Sequence, residues 1–285
     1  MSLLSAIPGV NLRVSEVNTT LSEMWQVSRE EREQEHGLFR ASQMNLIIHF
    51  GMQTTAEEAR TLFDTAIHFG QRYPCRVIML CPVEEEEGED LLRAKLFTQC
   101  YIGSSMREMC CCEVLGLSYP TRAFVHLRNQ VTVWLEADLP TYHWFHRVPA
   151  QRIRDQYLDF IQPFRRILFD RQVEGAGYDD IPWPRPGRVH DIAAARLLSV
   201  KQSLGPTLSS YSPEQLVEGL ECIEFRFAEE RAGEGEHLKR WVTGCLRRCL
   251  ERTGRTSGDI PTRVVAGDCE PGEEMRMDWV FGNTK

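Results

Sequence analysis

The sequence lacks long apolar runs and an excess of positive charge. No apolar run approaches the roughly 20 residues that a membrane-spanning helix needs, and the formal net charge at pH 7 is −8. The N-terminal stretch MSLLSAIPGVNLRVSE has no basic start, and Pro8 and Gly9 interrupt its apolar part, unlike a secretory signal. Broad binding to nucleic acid or to anionic membranes requires basic surface. We therefore expect a cytoplasmic protein that binds neither nucleic acid nor membrane.

The sequence also lacks the local motifs of common catalytic and nucleotide-binding sites. GxGxxG, GxxxxGK[ST], GxSxG and HExxH are all absent. The turn after the first apolar strand has a single glycine, Gly51, where a dinucleotide site needs three to bring the backbone close to a pyrophosphate. The acidic stretch EEEEGED does not have the ligand spacing of an EF-hand. The sequence predicts no catalytic residues, no cofactor and no metal ligands.

Cysteine is abundant, with ten in the chain, but no CxxC pair occurs, which excludes paired zinc-knuckle and thioredoxin-type motifs. In a reducing compartment we expect thiols rather than disulfides. In EMCCCEVLGL, strand alternation places Cys110 and Cys112 on one face and Cys111 with Glu113 on the other. Burial in a core is the favoured interpretation. The alternative is a redox role for Cys110, Cys111 and Cys112, with Cys111 the first to test because it shares its face with a charged residue.

The clearest structural signal is a strand–helix–strand unit. NLIIHF is a short apolar run of strand type, and Thr55 with Glu58 forms a capping box that starts a helix. Gly70 and Pro74 are predicted to end that helix, and RVIMLC follows as a second strand. Two parallel strands with a covering helix result. The predicted apolar stripe of the helix consists of Ala59, Leu62, Phe63, Ala66 and Ile67.

Further short apolar segments extend this α/β pattern. LFTQCYIG, MCCCEVLGL, TYHWF and RRILFD are strand candidates, whereas TRAFVHLRNQVTVWLEADLP is ambiguous between helix and strand. We expect a mixed or mostly parallel sheet with flanking helices, followed by a smaller α+β C-terminal region. The predicted divisions are a helical N-terminal segment (1–40), an α/β domain (41–137) and a C-terminal α+β domain (138–285).

Two aromatic tracts are candidates for a protein interface. Trp144 in DLPTYHWFHR and Trp183 in DIPWPRPGR stand beside prolines, arginines and aspartates. Rigid Trp and Arg anchors on such loops are typical of interface hot spots. The competing interpretation is that both tryptophans belong to the core. For His143, beside Trp144, a satisfied packing or interface histidine is the favoured interpretation.

The order of these segments resembles the glucose-6-phosphate dehydrogenase assembly protein (OpcA) family. The resemblance is carried by VSEVNTTLSEMWQ, FRASQMNLIIHF, DLPTYHWFHR, RRILFD and DIPWPRPGRVHDIAAARL, and it spans about residues 14 to 200. Phe145 and Gly187 depart from the family's pattern, which often has Trp at the first position and an aromatic residue at the second. The partner-contact candidates on these segments are Asp138, Pro140, Trp144, Asp170, Trp183, Arg185 and Arg188.

The resemblance implies a non-catalytic protein whose partner is glucose-6-phosphate dehydrogenase. Such a protein would promote the active oligomer of the dehydrogenase, the entry enzyme of the oxidative pentose phosphate pathway, and its own self-association within that complex stays open. Two alternatives remain: a redox-responsive form of the same adaptor, and an α/β enzyme that depends on a metal or a sugar phosphate.

Overall fold

The fold is described from a computed structural model, which covers residues 2–30, 42–84, 92–101, 110–252, 260–266 and 273–282. Side chains are described for all of these except 25–30, 110 and 266. The chain forms two compact units. Unit 1 comprises residues 1–169 and 177–190, and unit 2 comprises residues 170–176 and 191–285.

Unit 1 is built on an eight-stranded sheet with the strand order β1-β4-β5-β3-β2-β6-β7-β8. The five strands from β5 to β7 in this order run parallel, and β4 and β1 complete one edge in antiparallel pairings. The strands are β1 (Val10–Leu12), β2 (Met44–Phe50), β3 (Cys75–Val83), β4 (Arg93–Tyr101), β5 (Cys110–Pro120), β6 (Thr141–His146), β7 (Arg166–Phe169) and β8 (Val189–Asp191).

Helices cover both faces of this sheet. They are α1 (Leu3–Ala6), α2 (Val17–Glu30), α3 (Ala56–Arg72), α4 (Phe124–Trp134), α5 (Ala150–Arg152) and α6 (Leu158–Ile161), with a π-helical turn (Ile153–Tyr157) joining the last two. One core, here called the α3-side core, gathers apolar residues of α1, α3 and the strands. The α4-side core lies on the opposite face and gathers residues of α2, α4 and 153–164.

The predicted strand–helix–strand unit is confirmed as β2, α3 and β3. Thr55 accepts a hydrogen bond from the Glu58 amide, and the Glu58 carboxylate accepts one from the Thr55 amide, so the capping box starts α3 as expected. The predicted stripe is buried along its whole length. Helix α3 continues past Gly70 and ends at Arg72, just before Pro74. A Cβ on Gly70 would lie 2.6 Å from Cys112 Sγ, so the glycine allows close packing of helix on strand.

The N-terminal segment is less independent than its sequence indicates. Strand β1 pairs with β4 in the sheet, and Val17 and Leu21 of α2 are buried in the α4-side core. Residues 31–41, which include the end of the predicted helical segment, lie outside the described residues, as does most of the acidic loop (85–91). The predicted boundaries at residues 40 and 137 do not coincide with the two units, because β1 and β6 share one sheet with the strands between them.

Unit 2 contains a three-stranded sheet of order β10-β9-β11 and a long helix packed against it. Ile223, Phe225 and Phe227 alternate towards the helix, as the pattern ECIEFRF predicts. The elements are α7 (Arg171–Glu174), α8 (Ile192–Arg196), α9 (Leu198–Leu208), α10 (Pro213–Val217), β9 (Leu220–Phe227), α11 (Ala232–Arg252), β10 (Thr262–Ala266) and β11 (Met275–Phe281). The predicted fold class, a mostly parallel sheet with flanking helices followed by a smaller α+β region, is confirmed.

Candidate functional site

The strand order of unit 1 reverses direction between β2 and β6. From β2 the chain crosses through α3 to β3 on one side, and from β5 it crosses through α4 to β6 on the other side. In open parallel sheets, ligands bind in the crevice outside the carboxyl ends of the strands at such a reversal. A ligand site is therefore expected at the residues that follow β2 and β6.

In this chain the crevice is filled by the protein itself. The Gly51 amide, just after β2, donates a 2.7 Å hydrogen bond to the carbonyl of His146 at the end of β6. A Cβ on Gly51 would lie 1.6 Å from the carbonyl oxygen of Arg147. Gly51 is thus required so that the two backbones can pack against each other, and this close contact takes the place that a ligand would use.

An ion pair between Glu58 and Arg147 covers the same crevice. The Arg147 guanidinium donates from Nε to both carboxylate oxygens of Glu58, at 2.8 and 3.0 Å. Partial burial acts to raise the pKa of Glu58, but hydrogen bonds from Arg147 and from the Thr55 amide lower that pKa to about 2. Arg147 adopts a left-handed backbone with φ of 57°. The amino end of α3, which attracts anions, is therefore already occupied by the carboxylate of Glu58.

A chain of buried polar side chains crosses the α4-side core beneath this crevice. His49 contacts His143 (Nδ1 to Nε2, 3.3 Å) and the hydroxyl of Tyr119 (2.7 Å), which lies 3.4 Å from the Tyr157 hydroxyl. Arg152 donates to Tyr157 at 3.0 Å. Both imidazoles have no exposed surface. The chain thus links four buried rings to one partly exposed guanidinium.

Burial keeps the imidazoles of His49 and His143 neutral. It lowers the pKa of His143 to about 3, and burial together with the nearby His143 and Arg152 lowers the pKa of His49. Burial and the neighbouring Tyr157 raise the pKa of Tyr119. Neutral imidazoles and phenols can donate to and accept from one another, as expected of a polar network that fixes a core. His143 is buried as a packing histidine should be, but its Nδ1 has no hydrogen-bond partner among the described residues.

The two tryptophans predicted for an interface lie on opposite faces of the sheet. Trp144 packs, partly buried, against the α3-side core, and its indole N–H has no hydrogen-bond partner among the described residues. Trp183 packs against the α4-side core, where it lies near the rings of Phe169 and Tyr178 and donates to the Tyr178 carbonyl at 3.3 Å. A single flat surface therefore does not contain both rings.

Four of the predicted contact residues do gather at one place, the amino ends of β6 and β7. Asp138 and Pro140 are exposed in the loop that leads into β6. The backbone just before β7 is held to the start of β6 by a hydrogen bond from the amide of residue 165 to the carbonyl of residue 141. Arg188, half-buried, donates to the carbonyl of the neighbouring Phe164, and the nearby Arg185 is exposed. We name Asp138, Pro140, Arg185 and Arg188 the amino-end rim.

Asp170 has a different environment, within unit 2. Its carboxylate caps α7 by accepting from the Gln172 amide and pairs with Arg196 at 2.7 Å. Arg196 also pairs with Glu234 of α11 at 2.6 Å. Asp170 is thus engaged in an internal network, and its role as a contact stays a prediction.

Asp191 has further partners in the same unit. It accepts from Arg171 and, at 2.6 Å, from His237. Burial acts to raise the pKa of Asp191, but the hydrogen bond from His237 and those from backbone amides outweigh it and lower that pKa. These pairs tie α7, α8 and α11 to one another.

The cysteine cluster divides as strand alternation predicts. Cys112 is buried in the α3-side core with Val114, and Leu115 lies in the α4-side core. Cys111 is joined by a disulfide to Cys100, its partner in the antiparallel β4–β5 pairing. The expectation that all cysteines are thiols is wrong for this pair, because the strand register brings their Cα atoms within 4.0 Å of each other. The side chain of Cys110 lies outside the described residues.

The sequence alone does not predict the Glu58–Arg147 pair or the His49–Tyr119 contact. Their members are 89 and 70 residues apart, and only the strand order brings them together. The one signal in the sequence was His49 itself, a polar residue at the end of the apolar run NLIIHF. Within the described ranges, no group of three His, Cys, Asp or Glu side chains could hold a metal ion. No helix in the described part of the chain is long and apolar enough to cross a membrane.

Part of the chain matches a known protein family. Residues 66–177 match the family described as glucose-6-phosphate dehydrogenase subunit N-terminal domain. No curated protein and no solved structure matches the chain. The matched segment runs from the second half of α3 through β7 and includes β3, β5, β6 and α4. Over this segment, which is less than half of its length, the chain is similar to the N-terminal domain of that family.

Proposed function

We propose that this protein is a non-catalytic subunit that binds glucose-6-phosphate dehydrogenase and raises its activity by favouring its active oligomer. The family match over residues 66–177 carries the proposal. A partner that binds one oligomeric state more tightly than another shifts the equilibrium only by that difference in affinity.

The closed crevice supports a binding role rather than a catalytic one. Where an α/β enzyme of this topology would hold a substrate or a nucleotide, Gly51 packs on Arg147, and Glu58 occupies the amino end of α3. The neutral buried imidazoles below have no thiol or hydroxyl nucleophile among their hydrogen-bond partners in the described residues apart from tyrosine.

The amino-end rim is the proposed contact with the dehydrogenase. It combines one carboxylate, one proline and two guanidinium groups, and three of its four residues are exposed. Arginine and rigid loop residues are typical of interface hot spots. Asp138 and Pro140 also fall within the segment that matches the family.

The experiment mixes the purified protein with the dehydrogenase from the same source and follows co-elution and dehydrogenase activity. Arg185→Glu should weaken binding by about tenfold or more, because it reverses a charge in the rim. Arg60→Glu is the matched control, since Arg60 is an exposed arginine on α3, away from the rim. Absence of co-elution together with an unchanged dehydrogenase rate and substrate affinity would refute the proposal. If Arg185→Glu binds the dehydrogenase as tightly as the unsubstituted protein does, the amino-end rim is not the contact surface.

A second candidate is a redox-responsive form of the same adaptor. The Cys100–Cys111 disulfide favours it, because Cys100 is exposed and within reach of a dithiol reductant. Dehydrogenase activation should then differ between the oxidised and the reduced protein. The double variant Cys100→Ser with Cys111→Ser should lose that difference, and equal activation in both states by the unsubstituted protein would end this candidate.

A further inference from the structure

Strand β11 forms one edge of the three-stranded sheet of unit 2. It pairs with β9 on one side, and among the described residues no strand pairs with its other side. Edge strands present a row of backbone donors and acceptors to any segment that can add to the sheet. At the end of this strand, Val280 and Phe281 are 38% and 47% exposed. An open edge with exposed apolar residues is a natural place for a further strand to bind.

The hydrogen bonds of β9 show which backbone groups of β11 face outward. The Ala228 amide donates to the Glu274 carbonyl, so position 274 of the paired strands is a hydrogen-bonded one. Hydrogen-bonded and non-hydrogen-bonded positions alternate in an antiparallel pair. Arg276 and Asp278 therefore direct their backbone groups towards β9. The backbone groups of the three residues that alternate with them point to the open edge: Met275, Met277 and Trp279.

An antiparallel strand that adds to this edge must match the same alternation. If the added strand is a second β11, its outward residues must lie opposite those of the first, which leaves three central registers. Centring the pair on Arg276 or on Asp278 places that charged residue opposite its own copy, and like charges directly opposite are destabilising. Centring it on Met277 places Arg276 of each copy opposite Asp278 of the other. Of these three registers, only this one pairs opposite charges, and it does so twice.

The apolar residues fit the same register. Centring on Met277 sets Met275 opposite Trp279 of the second copy, on the face that packs against the apolar core of unit 2. A pocket of about 490 Å³ lies beside this edge, lined by α9 residues and by Met275, Arg276 and Met277. Methionine side chains adapt to an incoming ring and make favourable sulfur–aromatic contacts. The pocket thus offers apolar surface next to the position that Trp279 of the second copy would take.

Within the monomer, by contrast, like charges face each other across the sheet. Arg276 lies opposite Arg226, and Asp278 lies opposite Glu224. The charges are balanced by pairs along and between the strands, including Arg276 with Asp278 at 2.9 Å. A second copy would add the direct opposite-charge pairs that the monomer's own sheet does not have at these two positions.

We propose that two copies of this chain associate through their β11 strands, in the antiparallel register centred on Met277, to form a continuous six-stranded sheet. The interface is isologous, since the same strand serves on both sides of a two-fold axis. This self-association is independent of the proposed binding to the dehydrogenase and is tested without it.

The experiment is sedimentation of the full chain over a concentration series, with two charge variants. Asp278→Arg places two arginines opposite each other at each end of the pairing, and Arg276→Asp places two aspartates there. Each should raise the dimer dissociation constant by about tenfold or more. A mixture of the two variants should form heterodimers with restored affinity, because the arginines of one copy then lie opposite the aspartates of the other.

Each substitution replaces a like-charge pair across the monomer's own sheet by an opposite-charge pair, but it also breaks the Arg276–Asp278 pair and sets two like charges two residues apart on β11. The new arginine of Asp278→Arg faces Glu224, and the new aspartate of Arg276→Asp faces Arg226. Because the new attraction across the sheet offsets the new repulsion along β11, the monomer should keep its fold, which circular dichroism and thermal unfolding check. Arg263→Asp is the matched control, because it makes the same charge change on the opposite edge strand, β10, where the side chain of Arg263 is 70% exposed. It should leave the dimer unchanged.

Three results would contradict the proposal, each at a different point: the existence of the dimer, its assignment to β11, or the register. A wild-type protein that stays monomeric over the whole concentration series overturns it, even where a variant does not fold. A dimer that survives both single substitutions overturns the assignment to β11. Two monomeric variants whose mixture also stays monomeric overturn the register. Monomeric variants, a dimeric mixture and a dimeric control support it.

Discussion

Arg76 and Glu113 form an ion pair of 2.8 Å between the neighbouring strands β3 and β5, and their side chains are only 10% and 3% exposed. Arg76 also donates to the Trp134 carbonyl at the end of α4 and pairs with Glu136. One guanidinium thus joins two strands, the end of a helix and the loop before β6.

Removal of one partner of this pair should destabilise the protein. Glu113→Leu removes one of the two carboxylates that pair with the buried guanidinium of Arg76 and leaves Glu136 and the Trp134 carbonyl as its partners, which should cost about 2 kcal/mol of unfolding free energy. Urea unfolding followed by circular dichroism measures the loss. The exposed pair Arg60–Asp64 is the control, and its removal should cost about 0.5 kcal/mol or less. Equal small losses at both pairs would contradict the structural role assigned to Arg76.

Acid should destabilise the protein through the buried histidines. The folded-state pKa of His143 is lowered to about 3, and that of His49 is lowered as well. The unfolded chain takes up protons below about pH 6.5 and the folded chain does not, so stability is complete above that pH and declines as the pH falls towards about 3. Each histidine should contribute a slope of about 1.4 kcal/mol per pH unit.

The window between pH 6.5 and 4.5 excludes the contribution of Glu58, because its lowered pKa affects stability only as the pH falls below its ordinary value of 4.5. The slope there comes from the histidines with a lowered pKa: His49, His143 and, by burial and the nearby Arg166, His190. His143→Gln should reduce the slope of unfolding free energy against pH in that window. An unchanged slope in this variant would show that His143 titrates in the folded protein as it does in the unfolded one.

Two substitutions of Arg147 can separate the energetic cost of its left-handed backbone from the contribution of its ion pair with Glu58. Arg147→Ala and Arg147→Gly both remove the ion pair with Glu58, but only glycine adopts a φ of 57° without steric cost. The glycine variant should therefore be more stable than the alanine variant by about 1 kcal/mol. Chemical denaturation of the two variants measures this difference. Equal stabilities would place Arg147 in an ordinary backbone conformation.

Reduction of Cys100–Cys111 should lower stability without exposing the neighbouring thiol. Opening a disulfide that joins residues 11 positions apart should cost about 2–3 kcal/mol. Cys112 should stay unreactive towards alkylating reagents in the folded state, because its hydrogen bond with Cys75 and its burial raise its pKa. Mass spectrometry after brief alkylation identifies which cysteines react. Rapid labelling of Cys112 in the folded protein would contradict its place in the core.

The strand–helix–strand unit could be predicted because its signals are local. A capping box, a 3.6-residue apolar stripe and short apolar strands lie within one stretch of chain. The ambiguous tract after β5 could not be assigned, because Val131, Val133 and Trp134 suit a strand as well as a helix. Its helical form is decided by tertiary packing, since Leu127, Val131 and Trp134 share one buried face of α4.

The parts of the site that could not be predicted depend on strand order and register. Cys100 and Cys111 become partners only once β4 and β5 pair in their observed register. Glu58 and Arg147 meet only because β6 lies beside β2. Trp144 and Trp183 both stand beside prolines and arginines in the sequence. Trp144 lies on the α3 side of the sheet because side chains along β6 alternate between the two faces, whereas residues 177–190 return to unit 1 on the α4 side and bring Trp183 there.

The division of unit 1 into two stretches of chain has a consequence for its synthesis on the ribosome. The chain leaves unit 1 after residue 169, begins unit 2 with residues 170–176, and returns to unit 1 for residues 177–190. That returning stretch supplies most of β8, which lies beside β7 and forms the edge of the sheet, and Trp183, which packs on the α4-side core. A nascent chain that has emerged only to residue 176 would leave β7 as an unprotected edge, which favours pairing with other chains. The sheet of the first unit is therefore completed only by a segment that is made after the second unit has begun.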